Sequence, residues 1–366
     1  MLPSIHALVP AATPAEPALT SIATPTLWGA TIAAVLGLLV MDFVITRRPH
    51  EVSMREAVGW SVFYIALPLA FGAWVWQRWG STTGVEYLTG YLVEKSLSVD
   101  NLFVFMLLLT AFAVPAALQQ RVLLFGIAGA LVLRGIFIAL GAAVLANVSW
   151  AFLLFGAILL ATGVKILRDQ LRGTGHDVDV SQMRSVRLIR RFMPVTEDYR
   201  GPRLSVREGG RRMLTPLAVV VTAVFATDVV FAVDSVPAVY GITNDPYLVF
   251  ATNAFALLGL RALYFVLQGA LSKLVHLGYG LATILGFIGV KLVLHWAHGL
   301  WPQTPEIPTP VSLAVIVVVL GVVTATSLWA TRGGRGDAQA SAHVAEVTDS
   351  APEGTAADDV AARSGR

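Results

Sequence analysis

The chain has 366 residues, of which 13% are charged and 56% are hydrophobic, and its formal net charge is +3. A soluble domain has about 25% charged residues, so this composition excludes an ordinary soluble fold and predicts an integral membrane protein. Cysteine is absent, which excludes disulfides, thiolate metal ligands and thiol catalysis by this chain. The basic residues cluster between apolar runs, so we expect no nucleic-acid binding.

The two ends of the chain have the composition of tails. Residues 1–26 are rich in alanine, proline and threonine and contain no lysine or arginine, unlike the basic start of a cleavable signal peptide. We expect a flexible external tail there. After residue 330 the chain has few large apolar residues, a composition that cannot bury a core. This predicts a disordered cytoplasmic tail over residues 331–366.

Residues 27–330 contain apolar runs of about 20 residues, the length that crosses a bilayer as a helix. We predict an all-α polytopic membrane domain with about nine transmembrane helices. The candidate spans are 27–46, 57–78, 86–112, 120–146, 149–167, 214–240, 247–270, 276–297 and 310–330.

An arginine asymmetry between the connections predicts the orientation. Residues 169–212 contain ten arginines against six acids, and three more arginines follow the first span. The opposite connections contain neither lysine nor arginine: 80–84, 147–149 and 301–310. By the positive-inside rule, the N-terminus lies outside and the C-terminus lies in the cytoplasm.

Two of the predicted spans place acidic residues inside the bilayer. Glu94 and Asp100 stand six residues apart in the third span, and Asp228 and Asp234 stand six apart in the sixth. An ionised carboxylate at the bilayer centre costs at least about 2.5 kcal/mol on insertion scales, so such a residue usually faces a partner, a water-filled path or a bound cation. These four acids are the first candidates for a functional site.

The acids belong to an internal repeat. Acid, acid, arginine and lysine recur in the same order: Glu94, Asp100, Arg134 and Lys165, then Asp228, Asp234, Arg261 and Lys291. Each copy contains three spans, so the second must enter the membrane from the opposite side. This predicts an inverted 3+3 helix repeat, a construction common in secondary transporters. Unit one covers 86–168, unit two covers 214–297, and the arginine-rich cytoplasmic loop 169–212 joins them.

Helical geometry leaves two possibilities for the acids. At about 100° per residue, a six-residue spacing turns the second acid about 120° away from the first. Either each pair flanks a seam between helices, or the helix opens locally. Pro237 favours an opening in the sixth span, because it removes the hydrogen bond to the carbonyl of Val233.

An all-oxygen site suits hard cations such as Mn2+, Mg2+ and Ca2+, whereas zinc and copper prefer imidazole or thiolate. Four ionised acids in one empty site need protons or bases to compensate them. We interpret Arg134 and Arg261 as counter-charges. Lys165 and Lys291 are candidate coupling residues, although lysines near helix ends also snorkel to the interface. Ion pairs that only fix helix packing remain an alternative, because four acids and four bases are formally neutral.

Three further polar residues receive plain structural interpretations. Asp42 lies near the inner end of the first span, where we expect an ion pair with Arg47 or Arg48. His295 and His298, at the end of the eighth span, are interpreted as outer-surface histidines.

Three runs carry a family resemblance: EKSLSVDNLFVF at 94–105, DVVFAVDSVPAV at 228–239 and VFATNAFALLGLRALYF at 249–265. They resemble the TerC/Alx family of integral membrane proteins, and the resemblance covers residues 27–330. It implies a multi-pass protein of the bacterial inner membrane, tied to tellurite resistance and manganese export. It also implies metal supply to exported enzymes and contact with the secretion machinery. The metal-site positions that it implies are Glu94, Asp100, Asp228 and Asp234, with Asn101, Ser235 and Asn253 as polar companions.

We therefore expect a transporter that exports Mn2+ from the cytoplasm, with the metal as substrate and no covalently bound cofactor. A metal-responsive scaffold or sensor without turnover is a competing hypothesis. An intramembrane aspartyl enzyme is a third, but two of the acids would have to share a proton, and no accompanying motif supports it. We expect no enzymatic activity.

Overall fold

A computed structural model of the protein describes residues 21–45, 53–148, 150–172, 194–196, 198–208, 211–267 and 276–349. In this part of the chain, ten helices enclose the core and one two-stranded hairpin lies between the fifth and sixth helices. The helices are α1 (Pro25–Ile45), α2 (Met54–Trp79), α3 (Ser81–Ala111), α4 (Ala116–Asn147), α5 (Ala151–Leu171), α6 (Pro216–Tyr240), α7 (Pro246–Leu258), α8 (Leu260–Leu267), α9 (Leu277–Leu300) and α10 (Thr309–Asp349). The strands are β1 (Ser205–Glu208) and β2 (Arg211–Leu214), which pair antiparallel.

Seven of the described helices are long and apolar enough to cross a membrane: α1, α2, α4, α5, α6, α9 and the part of α10 up to Ala330. The helices α7 and α8 pass the same test together, with a bend of 44° between them. Helix α3 has 31 residues and is long enough to cross a membrane. It is not among these seven helices because it carries the charged residues Glu94, Lys95 and Asp100 in its middle. The predicted all-α polytopic membrane class is confirmed, while the number of nine spans stays a prediction.

The predicted opening of the sixth span at Pro237 is wrong. Helix α6 continues through Pro237 to Tyr240, because this proline lies in the last turn and costs the helix a single hydrogen bond. The bend occurs instead in the next span, at Gly259 between α7 and α8. A methyl group at Gly259 would lie 2.8 Å from Cβ of Tyr64 and 3.3 Å from Nζ of Lys95, so only glycine permits this close approach.

Close contacts fix the relative directions of the helices. Gly126 and Gly141 of α4 face Val224 and Tyr240 of α6, respectively. Because both pairs advance together along the chain, α4 and α6 are parallel. In the same way, Gly90 of α3 faces Thr252 of α7, and Lys95 contacts Ala256 further along both helices. Helices α3 and α7 are therefore also parallel.

Helices α5 and α9 pack along a seam of small residues. A methyl group at Gly156 would lie 2.9 Å from the carbonyl oxygen of Gly289, and one at Gly163 would lie 3.1 Å from the carbonyl oxygen of Ala282. The two contacts run in opposite directions along the helices, so α5 and α9 are antiparallel. Small residues let membrane helices approach closely enough for extensive van der Waals packing.

Two buried apolar clusters lie on either side of the acid-bearing segments. One includes residues 102–109 of α3 and 217–224 of α6, and the other includes Val93 and Leu97 of α3 and residues 236–240 of α6. The acids of α3 and α6 lie where these two clusters adjoin. Glu94 and Asp228 are therefore enclosed by packed side chains, whereas Asp100 and Asp234 are only half-buried.

The tails and the basic loop are described only in part. The hairpin of β1 and β2 belongs to the predicted arginine-rich loop, whose residues 173–193 lie outside the described residues, as do residues 1–20 and 350–366. Helix α10 continues through residues 331–349, where the composition predicts disorder. The difference has a local cause, since this stretch is rich in alanine, the strongest helix former.

Candidate intramembrane carboxylate site

Arg134 of α4 lies at the centre of a buried polar cluster. Its side chain is 1% exposed and forms ion pairs with Glu94 of α3 and with Asp228 of α6, at 3.4 Å between Nη2 and Oδ1 in the second case. Its Nη1 donates a hydrogen bond of 2.9 Å to Oδ1 of Asn253 on α7. One guanidinium therefore joins four helices.

The amide of Asn101, one of the predicted polar companions, completes this cluster. In the orientation that satisfies both of its polar atoms, the oxygen accepts from Nη2 of Arg134 at 3.0 Å and the nitrogen donates to the carbonyl of Leu97 at 3.1 Å. Asn101 and Asn253 thus give the guanidinium two neutral acceptors besides its two carboxylates.

Oε2 of Glu94 and Oδ2 of Asp228 have no hydrogen-bond partner among the described residues, and neither has Nε of Arg134. The same holds for the buried hydroxyls of Ser98 and Ser235, on the two acid-bearing helices. Buried polar atoms nearly always have a partner, so each exception calls for an explanation. Two carboxylates against one guanidinium also leave a formal charge of −1. The cluster is oxygen-rich and incompletely neutralised, which suits a hard cation.

Asp100 and Asp234 form a second, separate pair. Asp234 is hydrogen-bonded to Thr162 of α5 and lies within electrostatic range of Lys165 and of Asp100. Both acids are half-buried. Each acid of the first unit therefore lies near its counterpart in the second, Glu94 with Asp228 and Asp100 with Asp234.

The four predicted acids do not converge on one point. The described residues contain no group of three or more acids and histidines arranged to hold a metal ion. The cause is the six-residue spacing, which aims the two acids of one helix in directions about 120° apart. The first of the two predicted geometries, pairs that flank seams between helices, is the one that the structure adopts.

Arg261 does not contact the acids of the repeat, and the prediction that it compensates them is corrected. Its Nε lies 3.1 and 3.0 Å from the two carboxylate oxygens of Asp42, and its Nη2 also contacts Asp42. Its Nη1 donates to Oε1 of Gln120 at 3.4 Å. Asp42 and Arg261 are 3% and 2% exposed. A buried charge needs a partner, and α1 supplies it.

Asp42 has a partner that the prediction did not include. The expected partners, Arg47 and Arg48, lie outside the described residues. The carboxylate of Asp42 faces the bundle, where Arg261 is within reach. The first span is therefore joined to the repeat by a buried ion pair.

The two equivalent lysines have different neighbours. Lys165 is exposed and close to Asp234, whereas Lys291 is half-buried and interacts with Glu86 and Glu306. His295 contacts Glu306 at 2.9 Å with both side chains exposed, which agrees with its interpretation as a surface histidine.

Lys95 is a half-buried basic residue that the sequence reasoning missed. Its Nζ donates to the carbonyl oxygen of Ala256 at 3.4 Å, close to the bend between α7 and α8. The available signals were the rarity of lysine, with four in the chain, and its position directly after Glu94. Glu86, two turns before Glu94 on α3, was missed as well.

Two cavities lie at opposite ends of α3. One has a volume of about 620 Å³ and is lined by Glu86 near the start of α3, together with Asp245, Lys291 and Glu306. The other has a volume of about 520 Å³ and is lined at the end of α3 by Phe112. No charged side chain lines this second cavity within the described part of the chain. Helix α3 therefore connects a charged cavity to an uncharged one.

The segment before α6 covers the uncharged cavity. The hydroxyl of Tyr199 donates a hydrogen bond of 2.8 Å to the carbonyl of Phe112, and Thr196 bonds through its backbone to Leu214 of β2. Burial raises the pKa of Tyr199 above its ordinary value of 10.0. The hydroxyl therefore stays protonated near neutral pH and can hold this segment against the end of α3.

A buried polar cluster inside a multi-pass helical bundle defines the class of protein, an integral membrane protein with an intramembrane ionic site. The chain belongs to the TerC family, because the model of the integral membrane protein TerC family matches residues 79–335. Helix α1, with Asp42, precedes the matched residues, and α2 precedes them except for its last residue, Trp79.

Several relatives are similar over most of their length. An uncharacterized membrane protein of Mycobacterium tuberculosis H37Rv is 44% identical over 325 residues, which are 86% of this chain and 82% of the relative. One from Myxococcus xanthus is 40% identical over 309 residues, or 84% and 93% of the two chains. Alx of Escherichia coli K12, named as a candidate membrane-bound redox modulator, is 39% identical over 320 residues, or 84% and 96%. No solved structure matches the chain.

Proposed function

We propose that this protein exports divalent metal, above all Mn2+, from the cytoplasm through the carboxylates of Glu94 and Asp228. The observation that carries the proposal is the buried cluster around Arg134, where two acids from different helices share one arginine and keep unpaired oxygen atoms. Intramembrane acids of this kind usually mark an ion pathway. The hard oxygen atoms favour Mn2+ over zinc or copper.

Arg134 acts as the resident counter-ion of the empty site. Its guanidinium cannot lose its proton in a protein, so it must move aside when a divalent cation binds to Glu94 and Asp228. The amide oxygens of Asn253 and Asn101 offer it neutral acceptors during that exchange. After release of the metal, the guanidinium returns and prevents two buried carboxylates from standing uncompensated.

An inverted repeat fits the observed contacts. An axis that exchanges the two units brings each acid near its counterpart, as for Glu94 with Asp228 and for Asp100 with Asp234. The same axis accounts for the directions of the helices. The first helix of each unit runs parallel to the second helix of the other, as for α3 with α7 and for α6 with α4. The third helices, α5 and α9, are antiparallel. These relations support transport by alternating access of two inverted units.

The two cavities supply an exit and an entrance. With the N-terminus outside and the C-terminus in the cytoplasm, the cavity at Glu86 opens outward and the cavity at Phe112 lies on the cytoplasmic side. Asp100 and Asp234 then serve as further carboxylates along α3 and α6. Lys165, next to Asp234, is a candidate for coupling to protons or another cation.

A metal-responsive scaffold or sensor is the second candidate. The observation that favours it is the ion-paired cluster itself, since Arg134 already occupies both acids and could report metal binding without turnover. The chain has no cysteine, so any redox role like the one in the name of Alx could not use thiols of this chain. In both candidates the metal is bound and released without covalent chemistry.

Transport into sealed vesicles separates the candidates. Purified protein in liposomes should carry Mn2+ across the membrane, and Asp228→Asn should abolish transport because it removes a ligand charge but keeps the shape. The matched control is Asp198→Asn, the same exchange at an exposed loop position, which should transport normally. Metal binding without transport by the wild-type protein would favour the sensor. Equal transport of zinc would contradict the hard-oxygen site.

A further inference from the structure

A buried ion pair connects α1 to the bend in the seventh predicted span. Asp42 accepts three hydrogen bonds from Arg261, and this arginine is the second residue of the short helix α8. Gln120, near the start of α4, is a further acceptor of the same guanidinium. The pair is more than nine-tenths buried on both sides.

The two halves of the bent span are held by different partners. Helix α7 is attached to the central cluster, because Asn253 accepts from Arg134. Helix α8 is attached to α1 through Arg261. Between them, Lys95 donates to the carbonyl of Ala256, which is close to the break. A break in a membrane helix requires such partners, because freed backbone groups cannot bond to water inside the bilayer.

We propose that Asp42 is a positioning residue of the carboxylate site, which holds α8 through Arg261 and so maintains the bend that presents Asn253 to Arg134. This inference rests on the proposed function. Helix α1 then belongs to the transport unit, although it precedes the residues that the family model matches. Asp42 touches neither Arg134 nor its acids and acts only through the geometry of α7 and α8.

A packing role and a positioning role predict different behaviour for a neutral pair. Asp42→Asn alone removes the carboxylate charge that pairs with the buried guanidinium of Arg261, which lowers the stability of the folded protein. The double variant Asp42→Asn with Arg261→Gln removes both charges and should recover the melting temperature. If the pair only satisfies buried charges, the double variant should also recover transport. If it positions α8, transport should remain at least about tenfold reduced, since small misplacements around a site cost large factors in rate.

The absence of cysteine makes a direct measurement of the bend simple. Spin labels on cysteines introduced at Asn244, before α7, and at Val266, near the end of α8, report the angle between the two helices as a distance. We expect one narrow distance in the wild-type background and in Asp42→Glu, which keeps a carboxylate. We expect a broadened or shifted distance in the double variant, which remains folded. Asp198→Asn, on the cytoplasmic loop, is the control and should change neither the distance nor transport.

Two results would overturn the proposal: an unchanged distance in the folded double variant, or full manganese transport by that variant. The distance measurement needs neither metal nor transport. A wild-type protein that fails to move Mn2+ would therefore count against the proposed function, while the effect of Asp42 on the bend would still be decided.

Discussion

Arg134 and Arg261, which hold corresponding places in the predicted repeat, bind different parts of the molecule. Arg134 binds one acid from each unit and two amides, so its contacts lie entirely within the repeat. Arg261 binds an acid of α1, which no repeat position supplies. Corresponding places in the sequence therefore do not determine which carboxylate each arginine binds. The partner depends on which carboxylate is buried within reach.

The first way to sharpen this comparison is to remove each arginine. Arg134→Gln removes the arginine that two buried carboxylates share, whereas Arg261→Gln removes a partner of one. Breaking a buried ion pair costs about 3 to 5 kcal/mol. We therefore expect the yield of folded protein to fall strongly in Arg134→Gln and less in Arg261→Gln. Size-exclusion profiles and melting temperatures in detergent measure both. Equal losses would contradict the central position of Arg134.

The second test contrasts the two pairs of acids. Asp100→Asn and Asp234→Asn should each abolish manganese transport but leave the melting temperature nearly unchanged, because these half-buried acids are not held by Arg134. Combining Asp234→Asn with Lys165→Gln keeps the local charge balance. Recovery of full transport in that double variant would show that Asp234 serves pairing rather than metal binding.

The third test removes the cation at the bend. Lys95→Met keeps the length and apolar stem but leaves the carbonyl of Ala256 without its side-chain donor. We expect a loss of about 1 kcal/mol, the net value of one hydrogen bond, measured as a small decrease in melting temperature. Leu97→Met, at a buried position on α3, is a control for the methionine. A larger loss than that from Arg261→Gln would mean that Lys95, not the ion pair, holds the bend.

The last test concerns orientation and should not change stability. A cysteine at Gln303, in the connection between α9 and α10, should react with an impermeant thiol reagent in intact cells. A cysteine at Arg207, on the exposed side of β1, should react only after the membrane is opened. Labelling of Arg207→Cys from outside would reverse the assignment of entrance and exit.

The sequence was sufficient for features that depend on composition and spacing. Apolar run lengths predicted the helices, and the acids within them predicted a buried polar site with Arg134 as its counter-charge. The six-residue spacing even limited how the acids could point. These features are local, so a single helix contains the information.

Features that depend on contacts between distant helices could not be read in this way. The pairing of Asp42 with Arg261 joins residues 219 positions apart, and no local pattern selects it over Arg47. The bend at Gly259 was missed for the same reason, since Tyr64 and Lys95 lie against this glycine from two other helices. Pro237 suggested a break on local grounds, yet near a helix end the lost hydrogen bond costs little.

The glycine seam between α5 and α9 bears on how two units could move. Where Gly156 meets Gly289, backbone lies directly on backbone, and the side chains of Val293 and Leu160 pack against the two glycines across the contact. Because side chains interlock around this backbone contact, we expect the two helices to move together rather than to slide past each other. If the units rock during transport, α5 and α9 would keep this contact as the pivot, and any residue larger than glycine there would push the two helices apart.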